Sequence, residues 1–239
     1  MATATPPLVG LPSTKSDFAY AWLREAILTG AYSPGTVLNQ SLLAETLGIS
    51  TTPLRESLRR LSAEGLVELE SHRDARVTAL SADEARGIIE MRRVLDPLSA
   101  ELAAERRTER DIEALVAAQE RLEARSDGIP SDGSAVDVRA HREFHTILYR
   151  SSHNPLLVST LDLLWDKAER YRTLGLQASV DSDESLEEKR KRKSADHAEL
   201  VDSIKNGDAA RAGEVMRRHI KHSLVAKAAE YLANESLNR

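Results

Sequence analysis

Four of the seven histidines in this sequence of 239 residues are placed so that their side chains could converge. Two of them are four residues apart and so share one face of a helix, and the other two lie in later segments of helical periodicity. Imidazoles from three helices of a bundle can hold a divalent metal ion, although a single histidine is more often an ordinary core or surface residue. The spacing predicts a metal centre formed by His141, His145, His197 and His219.

The segments that carry these histidines belong to a long helical region. Its apolar residues recur at helical spacing, and the breaks contain Gly, Pro, Ser or Asn. Ser81 can cap the first helix, and Pro97 should kink it. Residues 81–239 are thus predicted to form an all-helical domain of about six helices. The predicted helices span residues 83–106, 109–125, 135–151, 154–177, 185–206 and 208–234.

The first 80 residues combine short helices with short strands. One helix ends near Gly30, a second closes at Gly48, and a third starts with Thr52 as its N-cap and Pro53 as its first residue. The strand-like runs are at residues 35–39, 66–70 and 76–80.

Two short helices joined by a tight turn and followed by a β-hairpin are typical of a winged helix-turn-helix. The predicted fold is therefore mostly α, with a winged domain at residues 1–80 and the helical bundle at 81–239. Residues 1–14 are predicted to be a flexible tail.

A winged helix-turn-helix inserts its second helix into the major groove of DNA and lays the wing along the backbone or the minor groove. Arg55 and Arg59 lie on the polar face of that helix, and His72 and Arg73 lie at the tip of the wing. An isolated helix could instead pair these arginines with acids such as Glu56 on a solvated face. The order of helices and wing favours DNA contacts.

Composition limits the classes of protein that this sequence can represent. The net charge is −5, and residues 1–80 carry seven basic and eight acidic side chains, so DNA binding must depend on a local patch. There is no cysteine and no apolar run long enough to span a membrane, and we expect that residues 1–11 are not a signal peptide, because they lack a basic leader and an apolar core. We expect a cytoplasmic, nucleoid-associated protein. The basic run at 189–193 is either a solvated helix face or a nucleic-acid patch.

The N-terminal motifs, LREAIL at 23–28, LGISTTPLRESLRRL at 47–61 and EGLV at 64–67, resemble the winged helix-turn-helix of GntR-family bacterial transcription regulators. Three positions depart from that pattern. The family usually has an arginine where Thr51 stands, and some members have another where Ser41 stands. Asp74 replaces a glycine that is usual in the wing. These departures affect the operator sequence that is read rather than the mode of docking. The resemblance implies DNA contacts from Ser50, Thr51, Thr52, Arg55, His72 and Arg73.

The helical region resembles the FCD ligand-binding domain of the FadR-type subfamily. The motifs are EMR at 90–92, FH at 144–145, NP at 154–155, HAEL at 197–200, NGD at 206–208 and MRRHI at 216–220. In that subfamily an aspartate and three histidines commonly bind a metal. His145, His197 and His219 match the three histidines.

His141 stands where that subfamily usually has the aspartate. Either four nitrogens bind the ion, or His141 points away and three do. Neutral imidazoles favour a borderline metal, zinc first and nickel or cobalt as alternatives, over Mg²⁺ or Ca²⁺. Neutral imidazoles do not compensate the positive charge of the ion, so an anionic effector could complete its ligand shell. The resemblance implies a small organic acid, with Arg92 as the candidate carboxylate partner, although Arg92 could equally be an exposed salt-bridge residue.

These features predict a homodimeric repressor of a catabolic operon, released from a palindromic operator by the acid. Two alternatives use the same histidines. In a metal sensor the ion itself would be the signal, and in a metal-dependent hydrolase the open coordination position would activate water. An enzyme would need a general base near the ion, and Glu143 should face away from His141 and His145. We therefore predict that the protein is not an enzyme.

Overall fold

A computed structural model describes residues 14–70, 74–126, 135–172, 174–175 and 186–237. The chain divides into two compact units, Met1–Leu80 and Ser81–Arg239. The predicted flexible tail lies outside the described residues except for Thr14, whose side chain caps the first helix by accepting a hydrogen bond from the Asp17 N–H. Among the described residues, no helix is both long and apolar enough to cross a lipid bilayer.

The first unit contains three helices and a small sheet. Its elements are α1 (Lys15–Leu28), β1 (Val37–Asn39), α2 (Gln40–Leu47), α3 (Thr51–Ala63), β2 (Val67–Leu69) and β3 (Asp74–Val77). The sheet order is β1–β3–β2, and both pairings are antiparallel. The core is formed by apolar side chains from every element, with Leu23, Leu38 and Leu54 fully buried.

The turn between α2 and α3 follows from local chemistry. Gly48 has the left-handed backbone conformation (φ +63°) that closes α2, as predicted. Helix α3 begins two residues earlier than predicted, so Ser50 rather than Thr52 is its N-cap. Pro53 then lies third in the helix, where its missing N–H costs nothing because first-turn N–H groups have no helical partner.

The third strand differs from its predicted span of 76–80. It runs from Asp74 to Val77 because its neighbours set its limits. Residues 74–76 pair with β1, and residues 75–77 pair with β2. At its end, the Thr78 N–H still bonds to the Leu66 carbonyl and the Gly35 N–H to the Val77 carbonyl, so backbone hydrogen bonding extends slightly past the paired residues.

The second unit is a helical bundle arranged around its first helix. Its helices are α4 (Ala82–Arg106), α5 (Glu109–Ser126), α6 (Ala135–Ser151), α7 (Pro155–Glu169), α8 (Leu186–Asn206), α9 (Ala209–Lys221) and α10 (Leu224–Leu237). Helix α4 contacts α6, α7, α8, α9 and α10. Pro97 lies inside α4, which continues to Arg106. The mostly helical fold class is confirmed.

Two helix boundaries in this unit were predicted wrongly. The segment predicted as one helix over 208–234 is two, because the N–H groups of His222 and Ser223 bond three residues back and the Ser223 side chain accepts from the Ala226 N–H. Helix α7 ends at Glu169 rather than at 177, and the Tyr171 N–H bonds three residues back to Ala168 in a tight turn. Residues 173 and 176–177 lie outside the described part.

Helices α4 and α9 pack against each other, and Gly213 of α9 lies next to Glu101 of α4. A β-carbon at Gly213 would meet the side chain of Glu101, which would have to move to make room. Next to it, Arg217 donates a hydrogen bond of 2.6 Å to Glu101. This close contact fixes the position of α9, the helix that carries His219.

Candidate DNA-binding surface and metal centre

The exposed face of α3 carries the residues predicted to contact DNA. Ser50, Thr51, Thr52, Arg55 and Arg59 are all exposed, whereas Leu54, Leu58 and Leu61 are fully buried on the opposite face. Ser50 makes no side-chain capping bond. Thr51 and Thr52 lie in the first turn, where unpaired N–H groups and the helix dipole favour a phosphate. Within the described residues, neither arginine is held in an ion pair.

Another arginine of α3 has a structural task instead. The guanidinium of Arg60 lies 3.9 Å from the ring centre of Tyr20 and pairs with Asp17 at 2.7 Å. Tyr20 in turn donates a hydrogen bond of 2.5 Å to Glu64, just after α3. These contacts hold α3 against α1 and leave Arg55 and Arg59 as the outward-facing basic pair.

The wing is formed by β2 and β3. Its predicted contact residues, His72 and Arg73, lie outside the described residues, and their placement stays a prediction. At the base of the wing, Arg76 pairs with Glu70 at 2.8 Å and donates to the Gly35 carbonyl at 2.9 Å. This arginine therefore stabilises the hairpin.

The four predicted histidines form one cluster inside the second unit. Helix α6 supplies His141 and His145, α8 supplies His197 and α9 supplies His219. One nitrogen from each ring lies within 4.8 Å of the other three, and the ring centres are 4.7–6.0 Å apart. The alternative in which His141 points away is therefore not what the structure shows.

The cluster has the protonation state that metal binding requires. Burial lowers the pKa of all four imidazoles. The positive charge of Lys193 lowers the pKa of His141, His197 and His219 further, and Arg92 has the same effect on His141, His145 and His219. Neutral imidazoles are the form that donates a lone pair to a metal.

The positions of the imidazole nitrogens in the cluster suit a bound metal ion. The His141 and His145 Nε2 atoms lie only 3.2 Å apart, close to the separation of about 3.3 Å between nitrogens around tetrahedral zinc. His197 Nε2 is buried without a hydrogen-bond partner. A buried, unpaired nitrogen is costly unless something supplies a partner. The donor set is all imidazole, which suits zinc, nickel or cobalt.

Arg92 lies beside the cluster but is not an exposed salt-bridge residue. It is 5% exposed and pairs with Asp96 at 2.8 Å inside the bundle. Tyr149 also donates to Asp96, at 3.2 Å. Burial would lower the pKa of Arg92, but the Asp96 carboxylate outweighs this and raises it. Arg92 is therefore a fixed positive charge.

The indole of Trp165 joins Arg92 to the histidines. Its ring lies 4.8 Å from the Arg92 guanidinium and 5.1 Å and 5.5 Å from the rings of His145 and His141. Its N–H is buried without an acceptor among the described residues. The site thus combines the histidines with a cation and an unused donor, which is a suitable environment for an anion.

The basic run at 189–193 is only partly a solvated face. Lys191 is exposed and pairs with Glu187 at 2.8 Å. Lys193 is half-buried and lies one helical turn before His197, where its charge reaches the cluster. The side chains of residues 189 and 190 lie outside the described part. Lys193 therefore places positive charge near the histidine cluster.

Two glutamates that lie two residues from histidines of the cluster are paired with arginines. Glu143 is exposed and accepts a hydrogen bond of 2.8 Å from Arg121. Glu199 accepts from Arg211 and from Arg218, each at 2.6 Å. Both carboxylates therefore accept hydrogen bonds from arginines. For Glu143, this agrees with the expectation that it faces away from His141 and His145.

Sequence reasoning missed three residues of this site: Trp165, Asp96 and Asp196. Asp196 is buried, and its Oδ2 lies 3.6 Å from His219 Nδ1. Its position directly before His197 was the available signal. Trp165 gave no signal in the sequence, because its distance of 20 residues from His145 becomes a contact only when α6 and α7 pack.

This combination of a winged helix-turn-helix and a helical ligand domain defines a bacterial transcription regulator. Residues 15–77 match the family model "Bacterial regulatory proteins, gntR family", and residues 87–222 match the FCD domain. The chain belongs to the GntR family and carries an FCD domain. It is a DNA-binding transcriptional regulator and not an enzyme.

Individual relatives agree with this assignment. The chain is 31% identical to the HTH-type transcriptional repressor GlaR of Escherichia coli K12, over 84% of this chain and 90% of GlaR. It is 27% identical to the HTH-type transcriptional regulator LutR of Bacillus subtilis, over 81% of this chain and 92% of LutR. The solved structure of E. coli McbR/YncC has the same fold, with a TM-score of 0.71 at 21% identity over 91% of this chain and 99% of McbR/YncC.

Proposed function

We propose that this chain is a homodimeric repressor of a catabolic operon, which leaves a palindromic operator when a small organic acid binds beside a histidine-bound divalent metal. The observation that carries the proposal is the buried cluster of four imidazoles, flanked by Arg92 and by the unpaired N–H of Trp165. The name of the relative GlaR, a transcriptional repressor, supports the direction of the response. Operator binding would place the protein at the nucleoid.

The metal in this proposal is held by His141, His145, His197 and His219. When bound, it would supply a Lewis-acidic position for an oxygen ligand. Four neutral imidazoles leave its charge uncompensated, and Arg92 and Lys193 add further positive charge. Zinc, nickel or cobalt suits this donor set.

The acid in this proposal is selected by charge and by two donors. Its carboxylate would accept from the Trp165 N–H, which otherwise has no acceptor among the described residues. Asp96 accepts from Nε and Nη2 of Arg92, so Nη1 is the group of this guanidinium that would donate to the carboxylate of the acid. A guanidinium held in place by Asp96 is pre-organised to bind a carboxylate.

The signal has a short physical route to the start of the helical domain. Trp165 lies on α7, and six residues later the Tyr171 hydroxyl accepts a hydrogen bond of 3.2 Å from the Ser81 N–H and lies 3.3 Å from the Ser81 carbonyl oxygen. It also donates to Glu84 at 2.5 Å. We propose that an acid bound at Trp165 acts on the first turn of α4 through this segment, next to the junction with the DNA-binding unit.

The dimer in this proposal uses an exposed apolar face of α4. Met91, Val94 and Leu98 recur at helical spacing and are 48%, 66% and 38% exposed. Such a stripe is suited to cover the same stripe of a second copy, which gives the two-fold axis that a palindrome requires. The mass of the protein in solution must then be that of two chains.

The acid site is tested by a thermal-shift titration of small carboxylic acids on the metal-loaded protein. We expect one acid to raise the melting temperature, and W165F and R92K to retain the metal but bind that acid at least about 10-fold more weakly, because each loses a hydrogen bond to a charged group. The matched control is W22F, since Trp22 is the chain's other tryptophan and contacts Tyr32 in the first unit. Unchanged acid affinity in both variants, or equal stabilisation of metal-free protein, would contradict the proposal.

A further inference from the structure

The cluster has an anion directly behind one of its imidazoles. Asp196 is 3% exposed and lies on α8 next to His197, but its carboxylate faces α9. The Nε group of Arg218 donates a hydrogen bond of 2.8 Å to its Oδ1, and Nη2 lies 2.7 Å from the same oxygen in an ion pair. The other carboxylate oxygen, Oδ2, faces His219 Nδ1 at a distance of 3.6 Å.

The carboxylate is held in place by the guanidinium of Arg218. The His219 Nδ1 atom that it faces is buried and has no hydrogen-bond partner among the described residues. A carboxylate on that side of the ring favours a proton on His219 Nδ1, which fixes the ring tautomer and leaves the Nε2 lone pair for an ion. Metal-binding histidines commonly use such a carboxylate for orientation and for basicity.

The charge of the site gives this carboxylate a second role. The four nitrogen donors bring no negative charge. His141 supplies a neutral imidazole, whereas a carboxylate ligand at that position would have neutralised part of the positive charge of the ion. The other buried acid near the cluster, Asp96, is committed to Arg92. Asp196 is therefore the anion available to the ion through an imidazole.

We infer that Asp196 is a positioning residue of the metal centre, which orients His219 and supplies negative charge to the bound ion from behind that ring. This inference rests on the proposed metal centre. In this arrangement, the negative charge of the site comes from a carboxylate that does not itself bind the ion.

The test measures zinc affinity of the full-length protein by competition with a chromophoric chelator, together with the visible spectrum of the Co²⁺ form. We expect D196N, which keeps the shape but removes the charge, to bind zinc about 10- to 100-fold more weakly, and D196A to be weakened at least as much. The Co²⁺ absorption bands of both variants should change, because the donor strength of His219 changes.

Two controls separate this role from a structural one. E199Q removes a neighbouring carboxylate that also accepts from Arg218, at 2.6 Å, and should bind zinc within about twofold of the wild-type protein. R218Q breaks the ion pair but leaves Asp196 facing His219. It should lower the melting temperature of the metal-free protein as much as D196N does, while its zinc affinity stays much closer to that of the wild-type protein.

The outcomes are distinguishable. If the wild-type protein binds zinc and D196N binds it within about twofold of E199Q, the positioning role is wrong and the metal centre stands. Equal losses of zinc affinity in R218Q and D196N would also overturn the role, because the effect would then be that of the ion pair. A wild-type protein that binds no zinc, nickel or cobalt would overturn the metal centre and this inference together.

Discussion

Protein in which alanine replaces His145 is expected to contain no stoichiometric metal and to melt about 8–16 °C below the metal-loaded wild-type protein. His145 is fully buried, and its ring lies within 5.6 Å of the other three rings of the cluster. A metal that binds only the native state stabilises it by about 4 kcal/mol at 1,000 times its Kd. For a domain of this size, each kcal/mol corresponds to about 2–4 °C.

The loss of a buried ring also destabilises the protein by itself, so the metal contribution is read from chelation. The wild-type melting temperature should fall when a chelator is added, whereas that of His145→Ala should not change. H222A is the matched control, because His222 lies just beyond His219 at the end of α9 and outside the cluster. Stoichiometric metal in His145→Ala, or a wild-type melting temperature insensitive to chelation, would refute the site.

Replacing Arg55 with alanine is expected to weaken operator binding roughly 30- to 10⁴-fold without altering the fold or the metal content. Arg55 is exposed on α3 and has no ion-pair partner among the described residues, so its removal costs the folded protein little. A bidentate arginine–base contact contributes about 1–3 kcal/mol of discrimination, and a dimer on a palindrome makes it twice. Fluorescence anisotropy with a labelled operator duplex measures the change.

The salt dependence of the same titration distinguishes two kinds of contact. If Arg55 binds a phosphate, affinity should fall equally for all sequences, and the slope against salt should decrease by about 2 for the dimer. R86A serves as the charge-matched control, because Arg86 is an exposed arginine of the helical domain. Operator affinity in Arg55→Ala equal to that of R86A would reject α3 as the recognition helix.

Much of the DNA-binding fold could be predicted from local sequence. The left-handed glycine at position 48 and the spacing of Leu54, Leu58 and Leu61 specify the turn and the buried face of α3 without reference to the rest of the chain. The exact start of α3 could not be fixed, because Ser50 and Thr52 are both good N-caps. The limits of β3 depend on its two partner strands, which are distant in sequence.

In the helical domain, the periodicity of apolar residues was not sufficient to predict every helix boundary. The break at His222 contains neither glycine nor proline, so the apolar pattern runs through it, and the Ser223 side chain is what starts the next helix. Convergence of the four histidines was predictable from their spacing together with the family resemblance. Trp165 and Asp96 were not, because their places beside the cluster depend on how α4, α6 and α7 pack.

In the proposed mechanism an organic acid, and not the metal, controls operator affinity. The direct measurement is operator affinity of zinc-loaded protein on a palindromic duplex recovered by selection, titrated with the acid at fixed free zinc and then with zinc in the absence of acid. We predict that the acid weakens operator binding about 5- to 150-fold while the zinc content stays constant. Operator affinity that follows free zinc and ignores every acid would contradict this account and identify a metal sensor.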